Sequence, residues 1–273
     1  MTEKKDIKKT IILMGDSFTF GHGCSDRVYY WDNKIKDWVG KMWASGAGPS
    51  EYCWGSLIEK TFNSVSVINR SEPGKDNISC FSDLLFDIKE YLYGIKIDAL
   101  IFLMSFDDRI QIAPPEGFVD DNFTNRTKWR PIDYFKDYLP LKSWSPSWPV
   151  HYHESKEVSK NYKLALEYYA EQLYSPAWGA KLSHTSLFAA KGLADSIGAK
   201  FYWSSHSVLS TNNNKYTEYL KHLRIPNMVD YLHTLDHSPL GEKYRTPDGH
   251  ANDVGHERYF REVIKPFIER EIL

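Results

Sequence analysis

The sequence has few cysteines, no long apolar run and no excess of charge of one sign. Its three cysteines, Cys24, Cys53 and Cys80, form no CxxC pair, which excludes a disulfide-rich domain and predicts reduced thiols. No stretch approaches the roughly 18 apolar residues of a membrane span. The apolar run 11–14 is too short for a secretory signal. We therefore expect a cytoplasmic chain that does not bind a membrane.

The charges of the chain nearly cancel, and its aromatic residues are abundant. A net charge of −2 gives no basic face of the kind that a nucleic-acid binder needs, so we expect no nucleic-acid partner. Of the 273 residues, 15% are aromatic, which excludes a disordered chain. The length suits one large α/β domain, and we predict a single domain over 1–273.

Short apolar runs alternate with helical patterns along the sequence. Strands are predicted over 10–14, 65–69, 99–104, 199–204 and 227–231. Helices are predicted over 54–62, 78–93, 156–174, 184–197 and 258–270. This alternation is typical of a parallel sheet with helices on both faces.

Two long stretches interrupt the alternation, at 24–53 and 106–155. Together they hold six of the nine tryptophans, and each follows the carboxyl end of a predicted strand, where open α/β sheets bind ligands. We expect both insertions to be aromatic-rich loops that form a cap over a site. Exposed aromatic rings there would stack on sugar rings or an acyl chain, whereas buried rings would form a small core beneath a lid. The candidate substrate-binding residues are Trp129, Trp144, Trp148 and Arg109.

Three polar segments follow predicted strands or precede the last helix, and they carry the residue types of nucleophilic catalysis. The segment GDSFTFG places Ser17 at a strand-to-helix turn, where its hydroxyl and its N–H can face a substrate; Asp16 is expected to shape that turn. The segment NRSEPG ends at Gly74. The segment PDGHANDVGH supplies Asp248 and His250, a carboxylate and an imidazole of the kind that activate a serine.

These segments, in this order, resemble blocks I, II and V of the SGNH (GDSL-like) hydrolases. The resemblance implies a flavodoxin-like three-layer α/β/α sandwich with a central parallel sheet of about five strands. It also implies that Ser17 is the nucleophile, His250 the general base and Asp248 its orienter. The N–H groups of Ser17 and Gly74 would be oxyanion donors.

The sequence departs from the family pattern at two places. The family's third oxyanion donor is an asparagine, but Asp107 stands at that position, and an ionised carboxylate would repel an oxyanion. Either Asp107 is protonated or turned away, or a neighbour such as Asn77 or Ser105 is the alternative donor; otherwise activity is weak or absent. The common D-x-x-H spacing is also replaced by D-x-H at Asp248, while His256 does have that spacing from Asp253, which leaves His256 as an alternative base.

The leading functional hypothesis is a serine hydrolase of ester bonds, of the esterase or carbohydrate O-deacetylase type. It would act on a small-molecule or carbohydrate ester through an acyl-enzyme on Ser17. The alternatives are a catalytically silent ligand-binding module and an acyl transferase on the same scaffold. The pair His151 and His153 lacks the spacing of a metal site, so we expect neither a metal nor a cofactor.

Overall fold

A computed structural model describes most of the chain. It covers residues 8–32, 37–40, 48–73, 75–105, 110–112, 130–132, 176–205, 218–235, 243–247 and 249–273. The predicted helix over 156–174 lies outside the described residues.

Four parallel strands form the central sheet. They are β1 (Lys9–Met14), β4 (Val65–Asn69), β5 (Ala99–Met104) and β8 (Lys200–Ser205), in the spatial order β4-β1-β5-β8. The four strong apolar runs of the sequence therefore form the predicted strands. Their carboxyl ends meet at one edge of the sheet, where the segments that follow β1 and β5 lie side by side.

Helices cover both faces of this sheet. In chain order they are α1 (Ser17–Phe20), α2 (Trp54–Thr61), α3 (Asn77–Glu90), α4 (Pro176–Ser196), α5 (Met228–Leu235) and α6 (Asp253–Tyr259). A π-helical turn (Phe260–Ile264) joins α6 to α7 (Lys265–Glu271). Among the described residues, no helix is both long and apolar enough to cross a membrane.

Side chains that alternate along β1 and β5 enter two separate apolar cores. Ile11, Leu13 and Ile101 face one core, which α2 and the helices after β8 complete. Ile12 and Phe102 face the other core, which α3 and α4 complete. Because each strand is buried on both faces, the chain forms the three-layer α/β/α arrangement that the sequence predicts.

The predicted fifth strand over 227–231 is wrong. Asn227 accepts hydrogen bonds from the N–H groups of Val229 (2.6 Å) and Asp230 (3.2 Å), and its side chain thereby begins α5. Beside β8 the described sheet continues only as one parallel bridge, between Trp203 and Arg224. The sheet therefore has four described strands rather than about five.

Each insertion contains a short antiparallel strand pair that the sequence analysis did not predict. The first holds β2 (Tyr29–Asp32) and β3 (Asp37–Gly40), and the second holds β6 (Ile110–Ile112) and β7 (Arg130–Ile132). The candidate substrate-binding residues Arg109, Trp129, Trp144 and Trp148 lie outside the described residues. The cap over the site therefore stays a prediction.

Phe102 lies at the centre of the sheet, in the core that α3 and α4 complete. Its substitution tests how much this core contributes to stability. Its side chain is 0% exposed, whereas Phe86 on α3 is 54% exposed. We expect Phe102→Ala to lower the free energy of unfolding by about 3–5 kcal/mol, because it leaves a cavity between sheet and helices. The control Phe86→Ala should stay within about 1 kcal/mol of the wild type. Urea unfolding measures both, and equal losses would contradict this packing.

Candidate active site

Ser17 is the first residue of α1, directly after the carboxyl end of β1. Its residue surface is 3% exposed, so its hydroxyl is largely removed from bulk solvent. Gly21 ends the helix in the left-handed conformation, with φ +85°. As the first helical residue, Ser17 has an N–H that the helix leaves without an intrahelical acceptor, and such groups stabilise negative charge.

The imidazole of His250 lies against the Ser17 hydroxyl. The distance from His250 Nε2 to Ser17 Oγ is 2.9 Å, although the two residues are 233 positions apart in the chain. His250 belongs to the segment before α6, and that segment reaches back to the carboxyl edge of the sheet. The neutral imidazole accepts the hydroxyl proton through Nε2 when Nδ1 carries the ring proton.

The Asp16 carboxylate organises the turn that carries Ser17. It is 0% exposed and accepts hydrogen bonds from the Phe18 N–H (3.1 Å) and the Ser105 hydroxyl (2.8 Å). The expected role of Asp16 in shaping the turn is confirmed by its bond to Phe18. The contact with Ser105, which links the carboxyl ends of β1 and β5, is not predictable from local sequence patterns.

Asn77 and Ser105, the alternative oxyanion donors, are engaged in a buried polar network. Asn77 Nδ2 donates to the Ser105 carbonyl (3.3 Å) and to the Ser183 hydroxyl (2.8 Å), while Asn77 Oδ1 accepts from the Ser105 N–H (2.7 Å). The Ser105 hydroxyl proton is donated to Asp16. These side chains therefore hold α3 and α4 against the end of β5 and direct their polar hydrogens into the network.

The segment after β4 runs beside the nucleophile turn. The Arg70 N–H donates to the Leu13 carbonyl (2.8 Å), and the Glu72 N–H donates to the Gly15 carbonyl (3.1 Å). The buried ammonium of Lys75 then pairs with Asp83 and with Glu72. These bonds fix the residues on both sides of position 74. Gly74 itself, Asp107 and Asp248 lie outside the described residues, so their roles stay predictions.

His256, the alternative base, has a different position from His250. It is 1% exposed, and its Nδ1 accepts a hydrogen bond from the Trp54 N–H (3.3 Å) at the start of α2. Burial lowers the pKa of His256 to about 3, so its imidazole is neutral at ordinary pH. Asp253 accepts a hydrogen bond from the Ser25 N–H (2.9 Å). His256 is therefore a hydrogen-bond acceptor that joins α6 to α2.

The three cysteines are free thiols and are buried. Burial raises the pKa of the Cys24, Cys53 and Cys80 thiols, so all three stay protonated and are poor nucleophiles. Within the described part of the chain, no group of three or more metal-ligating side chains is present. His151 and His153 lie outside that part.

Fold and site together define an α/β/α protein with a serine–histidine pair at the carboxyl edge of its parallel sheet.

No protein-family profile matches the chain, and a search of curated proteins finds no similar sequence. Similar solved structures exist at low sequence identity. A psychrotrophic esterase, EstA from Pseudoalteromonas sp., inhibited by monoethylphosphonate, is 11% identical with a TM-score of 0.47, over 96% of this chain and 100% of that one.

Two further solved structures have comparable similarity. TesA is 11% identical with a TM-score of 0.46, over 96% of this chain and 98% of its own. A carbohydrate esterase whose active site displays divergent catalytic and non-catalytic binding functions is 12% identical, with a TM-score of 0.43. That similarity spans 100% of this chain and 68% of the other. The fold of the present chain is established by its own sheet order and layers.

The buried imidazole of His256 predicts a pH-dependent stability. An unfolded chain protonates this histidine below about pH 6.5, whereas the folded chain protonates it only near pH 3. Unfolding therefore takes up a proton between these values, and the free energy of unfolding falls as the pH falls, by at most about 1.4 kcal/mol per pH unit from this group.

We expect His256→Asn, which keeps an acceptor for the Trp54 N–H, to remove this contribution. Urea unfolding between pH 7 and pH 4 measures it, with His222→Asn on the exposed surface as the matched substitution. An unchanged pH dependence in His256→Asn would show that His256 does not titrate in this way.

Proposed function

We propose that the chain hydrolyses ester bonds, with Ser17 as nucleophile and His250 as general base. The observation that carries this proposal is the 2.9 Å distance between Ser17 Oγ and His250 Nε2. A serine and an imidazole at this distance, at the carboxyl edge of a parallel sheet, are the minimal arrangement for nucleophilic acyl transfer. A silent binding module has no need for this contact, so the pair favours an enzyme.

Acylation begins when Ser17 Oγ attacks the ester carbonyl carbon. As the new C–O bond forms, His250 Nε2 takes the hydroxyl proton and the carbonyl π electrons move onto oxygen. The tetrahedral intermediate then expels the alcohol oxygen, which leaves with the proton from His250 Nε2. The product is an acyl-enzyme on Ser17 and a free alcohol.

Deacylation repeats these steps with water. His250 Nε2 removes a proton from a water molecule as that water attacks the acyl carbon. The second tetrahedral intermediate releases Ser17 Oγ, which recovers the proton, and the carboxylic acid departs. An acyl transferase would use the same acyl-enzyme but deliver the acyl group to an alcohol, so product analysis with and without an added alcohol separates the two activities.

The oxyanion and orienting groups are part of this proposal. The Ser17 N–H at the start of α1 is one donor, and the Gly74 N–H is the second, since Glu72, two residues before position 74, is bonded to Gly15 of the nucleophile turn. Asp248 would accept the Nδ1 proton of His250. Asp107 replaces the asparagine donor of the resembled family, and we expect it to weaken the oxyanion site.

The proposed substrates are short acyl esters, including O-acetyl groups on carbohydrates. This part rests on the tryptophan-rich insertions of the sequence, because tryptophan rings stack well on sugar rings and acyl chains. Trp129, Trp144, Trp148 and Arg109 are the proposed contacts with the substrate.

The test compares p-nitrophenyl acetate hydrolysis by Ser17→Ala, His250→Ala and the double variant. Each single change should lower kcat by roughly 10⁴-fold or more, and the double variant should lose no more, because the two side chains act as one unit. Ser82→Ala and His222→Ala, at exposed positions, are the matched controls and should retain wild-type rates. Turnover that persists in Ser17→Ala would contradict Ser17 as the nucleophile and would favour the alternative of a ligand-binding module without catalysis at this site.

A further inference from the structure

The turn Gly21-His22-Gly23 follows α1 and has no role in the chemistry described so far. Its sequence indicates a glycine turn. It is too short for a phosphate-binding loop and lacks the lysine of such a loop. In the structure it lies beside both reacting groups of the proposed hydrolase, bonded to the Ser17 backbone and in contact with the His250 ring. The following inference concerns its histidine and rests on the proposed function.

The turn is attached to the nucleophile through the backbone. The N–H groups of Gly21 and His22 both donate to the carbonyl oxygen of Ser17, each at 3.0 Å. This pair of bonds closes α1 and sets the direction in which the chain leaves it. The position of His22 is therefore fixed relative to the residue that carries the attacking hydroxyl.

The same turn approaches the histidine segment more closely than any side chain at Gly23 would permit. A Cβ at Gly23 would lie 2.3 Å from the Ala251 carbonyl oxygen and 3.0 Å from His250 Cβ. Only glycine allows this contact. The backbone of the turn therefore packs directly on the residues that carry the proposed base.

Two aromatic side chains of this region border the His250 imidazole. The centroid of the His22 ring is 4.4 Å from that of His250, with the planes tilted by 52°. The Phe18 ring is 5.1 Å away and tilted by 31°. Both rings restrict rotation of the imidazole about its χ2 bond, and both come from the segment that begins at Ser17.

We propose that His22 is a positioning residue that holds the His250 imidazole with Nε2 directed at Ser17 Oγ. The backbone bonds to Ser17 and the ring contact with His250 make His22 a physical link between nucleophile and base. Proton transfer depends steeply on this geometry, and a displacement of about 1 Å can cost roughly 100-fold in rate. His22 acts through the shape of its ring and need not touch the substrate.

The test measures kcat, KM and the melting temperature for His22→Ala, His22→Gln and His22→Phe. Loss of the ring in His22→Ala and His22→Gln should lower kcat by roughly 10- to 100-fold, with KM changed by no more than about twofold. His22→Phe keeps a planar ring and should restore kcat to within about threefold of the wild type. His222→Ala, at an exposed position, is the matched control.

Two results would overturn the inference. One is a wild-type kcat in His22→Ala or His22→Gln. The other is an equal loss of kcat in His22→Phe, which would mean that the imidazole chemistry of His22, and not its ring packing, is needed. The melting temperatures identify a variant that fails to fold, and the glutamine variant then takes the place of the alanine variant. Failure of the proposed function itself is recognised separately, by turnover that persists in Ser17→Ala.

Discussion

Burial of the two central strands on both faces is the constraint on which the rest of this structure depends. All side chains of β5 and the last four of β1 are buried, and they alternate between two apolar cores. Such strands must be covered by helices on both sides, which requires the parallel crossovers of the α/β/α fold. Polar groups are then confined to the strand ends. The carboxyl edge becomes the place where Ser17, Ser105 and the segment after β4 meet.

Buried hydrogen bonds fix the relative positions of the segments that meet at this edge. The Asp16 carboxylate is removed from water and must be satisfied inside the protein. It is satisfied by the start of α1 and by the Ser105 hydroxyl at the end of β5. Asn77 joins the same region to α3 and α4. The turn that carries Ser17 is therefore fixed at the sheet edge, and His250 approaches its hydroxyl from a segment far away in sequence.

Local patterns in the sequence were sufficient for the main strands and for placing Ser17 and the histidine-bearing segment before the last helix at one edge of the sheet. The strand over 65–69 was predicted because its apolar run is flanked by turn residues, and Ser17 because a serine after a buried strand emerges at the sheet edge. The prediction of a strand over 227–231 is wrong because the Asn227 side chain caps a helix. The capping hydrogen bond outweighs the preference of valine and tyrosine for strands.

The remaining features of the site depend on tertiary contacts, which leave no signal in the local sequence. Ser105 and Asn77 are distant from Ser17 in the chain. No local sequence pattern predicts the hydrogen bond between Ser105 and Asn77. His22 looked like part of a simple turn, because its contact with His250 exists only once the two segments are packed together. The choice of His250 or His256 as the general base likewise required the three-dimensional structure. There the His256 imidazole accepts a hydrogen bond from the Trp54 backbone N–H.

The activation of Ser17 by His250 is tested by the mass of the intact protein after treatment with a fluorophosphonate, followed by peptide mapping. A serine activated by an adjacent imidazole attacks phosphorus and displaces fluoride, so one phosphonyl group should be added. We expect this group to map to Ser17 and its addition to be strongly slowed in His250→Ala. A folded protein that gains no phosphonyl group, or gains it at another residue, would show that Ser17 is not an activated nucleophile.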